Sequence, residues 1–276
     1  MNSILIVVAA LFGLLMGSFL NVVALRFNTG KSLGGRSQCF SCGHVLGWQD
    51  LFPVFSFLFQ KGRCRYCHSK ISLDNIYAEL ITALFFTLIM ARGLFLDINF
   101  LTPSYLTSTL FLFIIFSLLI VVLLYDMRHK IIPDTLSLSF GLFALLGSFF
   151  FGFDQGVFTY LGFHVRELNH FLAGVIIPLP FVILWLISKG QWIGLGDPKL
   201  MVGMGFLFGV KQGVSAIFLS FWIGALFALG LVIINKIFKK TLLRRGKKSI
   251  MKTEIPFAPF LIIATLVTTV CNFTII

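Results

Sequence analysis

At 276 residues, 58% hydrophobic and only 12% charged, with a mean hydropathy of +0.99, the chain is too apolar for a soluble domain and has the composition of a polytopic membrane protein. Its net charge of +12 does not mark a nucleic-acid binder, because the basic residues sit in loops between hydrophobic runs and not along one aromatic-interleaved stripe. The apolar runs and the two cysteine pairs predict an all-α fold of about eight transmembrane helices, with a small cytoplasmic loop domain that binds zinc.

The first apolar run, 4–25, has no basic residue before it and Arg26 directly after it, the reverse of a secretory leader, so it reads as an anchor. Further apolar runs place spans at 76–96, 105–125, 135–151, 168–187, 198–210, 214–234 and 257–275, the sixth of the set being short. With Met1 outside, loops 26–75, 126–134, 188–199 and 235–256 are cytoplasmic and hold 19 of the 22 Lys and Arg residues. Only Arg92, Arg166 and Lys211 fall on the other side, as the positive-inside rule requires. The corresponding division is a first helix at 1–25, a cytoplasmic zinc-binding domain at 26–75 and a seven-helix membrane core at 76–276. The basic stretch 236–252 is read as a topology signal lying on anionic headgroups, at about 1 kcal/mol per basic residue near the surface.

Within the first loop, Cys39-Phe40-Ser41-Cys42 and Cys64-Arg65-Tyr66-Cys67 form two CxxC pairs 21 residues apart, close to the spacing with which two knuckles bring four thiolates to one tetrahedral zinc. Lys61, Arg63 and Arg65 offset the charge of such a site, and a reducing cytoplasm disfavours disulfides. Four thiolates leave no open position, so Cys39, Cys42, Cys64 and Cys67 are expected to bind a structural zinc that staples a loop unable to build its own core. His44 and His68 read as surface residues supporting the site, and Cys271 as a small packing residue of the last span.

Asp126 closes the run TSTLFLFIIFSLLIVVLLYD, and Asp197 ends GLGD just before the next run. An ionisable group at such a boundary costs several kcal/mol of desolvation unless it is paired, hydrated or used. At a helix C-terminus the dipole disfavours an anion, so Asp126 is poised to hold a proton. Asp134, after Pro133, reads as the cap of a helix starting at Thr135. Asp197 follows the glycines at 194 and 196, which let another backbone approach its carboxylate, and precedes Pro198, which suits a first helical position. Two close carboxylates cannot both ionise easily, so one holds a proton while the other activates water; Asp126 and Asp197 are therefore expected to be the catalytic dyad of an intramembrane aspartyl protease. Lys199 has two readings, orienting Asp197 or a substrate carbonyl, and anchoring at the interface.

Taken in order, these segments resemble the type IV prepilin peptidase family, bacterial leader peptidases of the GxGD aspartyl protease group. Gly17-Ser18-Phe19-Leu20-Asn21-Val22-Val23 matches its opening motif, the CxxC pairs its zinc motif, and Ile71-Ser72 with Glu79 the start of its second span. Tyr125-Asp126 with Ile132-Pro133-Asp134, then GLGDPKL, then Ile255-Pro256-Phe257-Ala258-Pro259-Phe260 match the later motifs. The resemblance implies Asp126 and Asp197 as catalytic acids and the four cysteines as zinc ligands. It implies removal of the basic leader of prepilins or pseudopilins at the cytoplasmic face of the bacterial inner membrane, and for many members N-methylation of the new terminus with S-adenosylmethionine. Membrane lipids and those peptides are the expected partners, and nucleic acid is not.

The chain departs from the family pattern at CFSC, at Gln49-Asp50-Leu51-Phe52-Pro53 and at Leu73-Asp74-Asn75-Ile76, all in the part tied to methylation. The acids stand 71 residues apart, a long separation whose excess is placed in an outer loop at 152–167. Intramembrane acids also serve ion-coupled transporters, the alternative reading, but no matched pair of broken helices recurs in corresponding halves. A zinc-knuckle scaffold with structural acids is a further alternative. A pure methyltransferase would need a cofactor site without the usual glycine-rich fingerprint, which is absent.

Overall fold

The computed structural model describes residues 2–30, 32–95, 100–150, 159–160, 163–164, 166–238 and 256–275. The basic stretch at 239–252, most of the outer loop at 152–167, and Ile255 lie outside the described residues. Apart from a two-residue antiparallel pairing of Thr159–Tyr160 with Phe163–His164, the regular structure is helical. The helices are α1 (Asn2–Arg26), α2 (Phe55–Phe59), α3 (Asp74–Phe95), α4 (Pro103–His129), α5 (Asp134–Phe150), α6 (Arg166–Ile176), α7 (Leu179–Ser188), α8 (Gly196–Phe238) and α9 (Ala258–Cys271).

Five helical stretches among the described residues are long and apolar enough to cross a membrane: Ser3–Arg26, Asp74–Leu94, Pro103–His129, Leu168–Ser188 and Gly196–Ile234. Two shorter apolar helices, Asp134–Phe150 and Ala258–Cys271, accompany them. The chain is a membrane protein of all-α architecture. The expected sixth and seventh spans lie within α8, on either side of Gly209, whose φ of 72° and ψ of −175° interrupt the helix where an L side chain would be strained. The expected span at 168–187 is likewise broken, because Pro178 at the N-cap of α7 cannot continue the hydrogen-bond ladder of α6.

The chain divides into two compact units, Met1–Arg128 and His129–Ile276. In the first, α1 and α3 run antiparallel with backbones almost touching. A Cβ added at Gly13 would lie 2.6 Å from Cα of Ala83, and one at Gly17 would lie 2.6 Å from Cα of Glu79. Without a hydrophobic force between helices in lipid, such small-xxx-small contacts supply the packing. Phe86 of α3 stacks on Phe113 of α4 at 4.2 Å between centroids, and Phe86, Ile89, Leu112 and Phe116 are fully buried.

The second unit is built on α8, which packs against α5, α6 and α9. Gly205 lets α8 lie on the backbone of Ala173 and Gly174, where an added Cβ would come within 2.6 Å, and Phe140 of α5 covers Gly203. Phe140, Leu200, Met201 and Met204 form its buried centre. Polar ties close one end: Gln212 Nε2 donates to Asn272 Oδ1, and the Ile275 N–H to Ser215 Oγ at 2.9 Å. Cys271, expected to pack in the last span, is exposed at the end of α9.

Candidate active-site acids and metal centre

The four loop cysteines come together. Their Sγ atoms all lie within 4.8 Å of one another, an arrangement that could hold a metal ion. A tetrahedral site with metal–sulfur bonds of about 2.3 Å has sulfur–sulfur edges of about 3.8 Å, and Cys39 and Cys67 Sγ are 3.8 Å apart. Both knuckles use one backbone pattern. Cys39 N–H donates to His44 O and Gly43 N–H returns to Cys39 O, while Cys64 N–H donates to Ser69 O and His68 N–H returns to Cys64 O. Gly43 and His68, at matching positions, have φ of 70° and 56°, the left-handed turn that brings the next residue's carbonyl back to the N–H of the first cysteine.

Charge in the cluster is uneven. The N–H groups of Cys42 and Ser41 lower the Cys39 thiol to about 6, and Ser69, through its hydroxyl and its N–H, lowers that of Cys67. The Cys42 thiol is favoured as thiolate by the His44 N–H, but desolvation and the Cys67 and Cys39 sulfurs outweigh this and push it up to about 11. Four thiolates this close require a cation to be charged together. His44 stacks on Tyr66 at 3.6 Å and stands outside the sulfur cluster.

Two carboxylates tie the loop down. Asp50, with 3% of its side chain exposed, accepts from the Gly47 N–H at 3.0 Å, Gln60 Nε2 at 3.0 Å and the Tyr66 hydroxyl at 3.3 Å. Arg65, expected to offset the thiolates, instead donates to Gln49 Oε1 at 3.0 Å and lies 3.9 Å from Asp50. Glu79 of α3 is buried and accepts the Val54 N–H at 2.7 Å. That bond holds Val54 at φ 59°, an unfavourable conformation for a β-branched residue.

A polar layer crosses the first unit near Asp126. Arg128 Nη2 donates to Asn21 Oδ1 at 2.7 Å, and Asn21 Nδ2 donates to Asn75 Oδ1 at 2.5 Å, linking α4, α1 and α3. Asp126 lies in the last turn of α4 and is only 4% exposed. Among the described residues its Oδ2 has no hydrogen-bond partner. A buried carboxylate oxygen of this kind calls for a partner or a use.

Asp197 stands in the first turn of α8 in the second unit, half-buried. There the two later motifs meet. Ile132 packs on Gly196, where a Cβ would come within 2.9 Å of its side chain, and Lys199 Nζ pairs with Asp134 Oδ1 at 2.5 Å. Lys199 thus grips Asp134, and Asp134 is the first residue of α5, with the Ser137 hydroxyl donating to the Pro133 carbonyl at 3.0 Å to close that turn.

Asn75, Arg128 and Asp50 were not legible as site residues. Two of them, Asn75 and Asp50, stand where the sequence leaves the family pattern, and both complete a part-buried polar tie. The available signal was a polar residue at the end of an apolar run, which in a membrane protein needs a partner.

Comparison with known proteins places the chain in a family. The model described as "Bacterial Peptidase A24 N-terminal domain" matches residues 11–93, and "Type IV leader peptidase family" matches residues 113–229. The chain is 32% identical over 251 residues to the prepilin leader peptidase/N-methyltransferase of Bacillus subtilis (strain 168), covering 90% of this chain and 87% of that one. It is 28% identical over 287 residues to that of Aeromonas salmonicida (strain A449), covering 92% and 86%, and 27% identical over 223 residues to that of Vibrio cholerae, covering 76% and 80%. No solved structure matches it. With both family models aligned in chain order over the cysteine loop and the two acidic motifs, the chain belongs to the type IV leader peptidase family.

Proposed function

We propose that the chain is an intramembrane aspartyl endopeptidase that removes the leader of prepilins or pseudopilins, with Asp126 and Asp197 acting together on one peptide bond. The observation that carries this reading is the buried Asp126 carboxylate, one oxygen of which has no partner among the described residues. Six residues of chain lead from it to Ile132, which packs beside Asp197 on Gly196.

In this mechanism the two acids share one proton and hold a water. The ionised carboxylate takes a proton from the water as its oxygen attacks the scissile carbonyl carbon, and the protonated acid donates to the carbonyl oxygen. Collapse of the resulting gem-diol breaks the C–N bond, with a carboxyl proton passing to the leaving amine. No acyl-enzyme forms. A basic leader held among headgroups presents its junction with an apolar helix to acids at the cytoplasmic ends of the spans. Cys39, Cys42, Cys64 and Cys67 bind a structural Zn2+, and N-methylation of the new terminus with S-adenosylmethionine follows cleavage. The enzyme works in the bacterial inner membrane with its N-terminus outside and its metal loop in the cytoplasm, as a first helix, a cytoplasmic metal domain and a membrane core.

Asp126→Asn and Asp197→Asn, each co-expressed with a prepilin, are expected to lower processing by about 10³-fold or more, with helicity and metal content retained. Mass spectrometry of the pilin N-terminus reads leader loss and an added methyl group together. Wild-type processing by either variant sinks the dyad.

A further inference from the structure

The metal loop carries an aromatic face that the proposed chemistry does not use. Trp48 and Phe59 are 76% and 85% exposed, and with Phe52 and Phe55 they line an open cleft of about 480 Å³. Arg63 and Arg65 line the same cleft. From 32 to 73 the chain holds five Lys and Arg residues against one acid, Asp50, whose side chain is turned inward. A contiguous apolar surface of this kind needs an occupant.

Glu79 decides what that occupant is. The Val54 N–H, at the N-cap of α2, donates to Glu79 Oε2, and Glu79 lies five residues inside α3, within the stretch apolar enough to span. At 1.5 Å of rise per residue, this is about 7–8 Å down the helix from its start. The backbone of Glu79 also packs on Gly17, nine residues before the end of α1. The start of α2, whose sequence is FSFLF, is therefore tied to a side chain of the span itself, at the level of its first turns. Beside a span at that depth the surrounding medium is the boundary of headgroups and acyl chains.

We propose that Trp48, Phe52, Phe55 and Phe59 form a wedge seated in the lipid interface, with Arg63 and Arg65 on the phosphate oxygens of anionic headgroups. Aromatic rings with flanking basic side chains are the composition that interfacial segments use. Charge also favours lipid over the leader peptide, since a basic leader would meet like charge in this cleft. The loop is then held at three points: by α1 and α3 at its ends and by the wedge between them.

The test uses the full chain in lipid nanodiscs containing phosphatidylglycerol and phosphatidylcholine. Replacing Trp185, Trp192 and Trp222 by Phe leaves Trp48 as the one indole. With acyl chains brominated near the headgroup, Trp48 emission is expected to fall about twofold or more against unbrominated discs, and to resist quenching by aqueous iodide. Phe59→Lys is expected to weaken the bromine effect and admit iodide. Equal emission in the two discs with full iodide access overturns the proposal. So does an emission that ignores brominated lipid but shifts on adding a prepilin peptide, which would assign the face to substrate. If the Trp variant does not assemble, a benzophenone amino acid at position 59 reports instead: lipid adducts are expected, and their absence overturns the proposal.

Discussion

Between α1 and α3 two glycines let backbone meet backbone, and the side chains around them close into a buried aromatic and aliphatic core. In the loop that joins the same two helices, from 32 to 73, only Pro53 and Cys64 are buried. The loop keeps its shape through directional ties: a sulfur cluster, two matching backbone knuckles, the Asp50 hub and the Val54–Glu79 bond. The difference teaches that one membrane protein can hold adjoining regions together by opposed means. Close packing serves where lipid surrounds the chain, and a sulfur cluster able to hold a metal, with polar anchors, serves where apolar volume is too small for a core.

The comparison breaks most visibly at Cys64, the buried cysteine of the cluster. Cys64→Ser is expected to abolish stoichiometric metal and open the loop to protease while the spans stay helical, because structural zinc contributes about 10 kcal/mol or more of apparent binding energy in small domains. Metal analysis with limited proteolysis checks this; a metal-free loop that resists protease would show that its polar ties suffice. Gly17→Leu attacks the other region. The added side chain meets the Glu79 backbone, so α1 and α3 must separate at a cost of about 2–4 kcal/mol. A thermal transition lowered by several degrees is expected, with metal content unchanged at low temperature.

Glu79→Ala sharpens the boundary between the two. It leaves the Val54 N–H without its acceptor at a cost of about 1–3 kcal/mol, and hydrogen exchange at that amide and through α2 is expected to rise while α1 and α3 stay protected. Smallest is Lys199→Gln. The pair with Asp134 is partly exposed, with 34% and 66% of the two side chains accessible, so stability should fall by about 1 kcal/mol or less. A larger loss would mean that this contact also orders the turn bearing Asp197.

Much of the fold, and the cysteine cluster, was legible because lipid and ligand spacing impose simple rules. Apolar runs became helices, and the CxxC spacing did bring four sulfurs into one cluster. The segments Ile132-Pro133-Asp134 and GLGDPKL, far apart in the chain, do meet through Ile132 on Gly196 and Lys199 on Asp134. The helix breaks were harder to read. A division of α8 was expected between its two apolar runs, but hydropathy does not report the left-handed backbone at Gly209 that makes it, and the break at Pro178 was not expected. Asn75 and Asp50 read as departures from a pattern, since nothing local reveals that Asn21 or Gln60 stands opposite.

By itself, then, the sequence determined the helical membrane class and the gathering of the four cysteines, because composition and spacing are local properties with large energies attached. Tertiary structure decided which polar groups satisfy one another, how closely helices approach at their glycines, and which side chain of the span the aromatic loop is tied to. Those outcomes depend on partners distant in the chain. A carboxylate such as Glu79 reads only as an acid near a helix start until Val54 and Gly17 are seen against it.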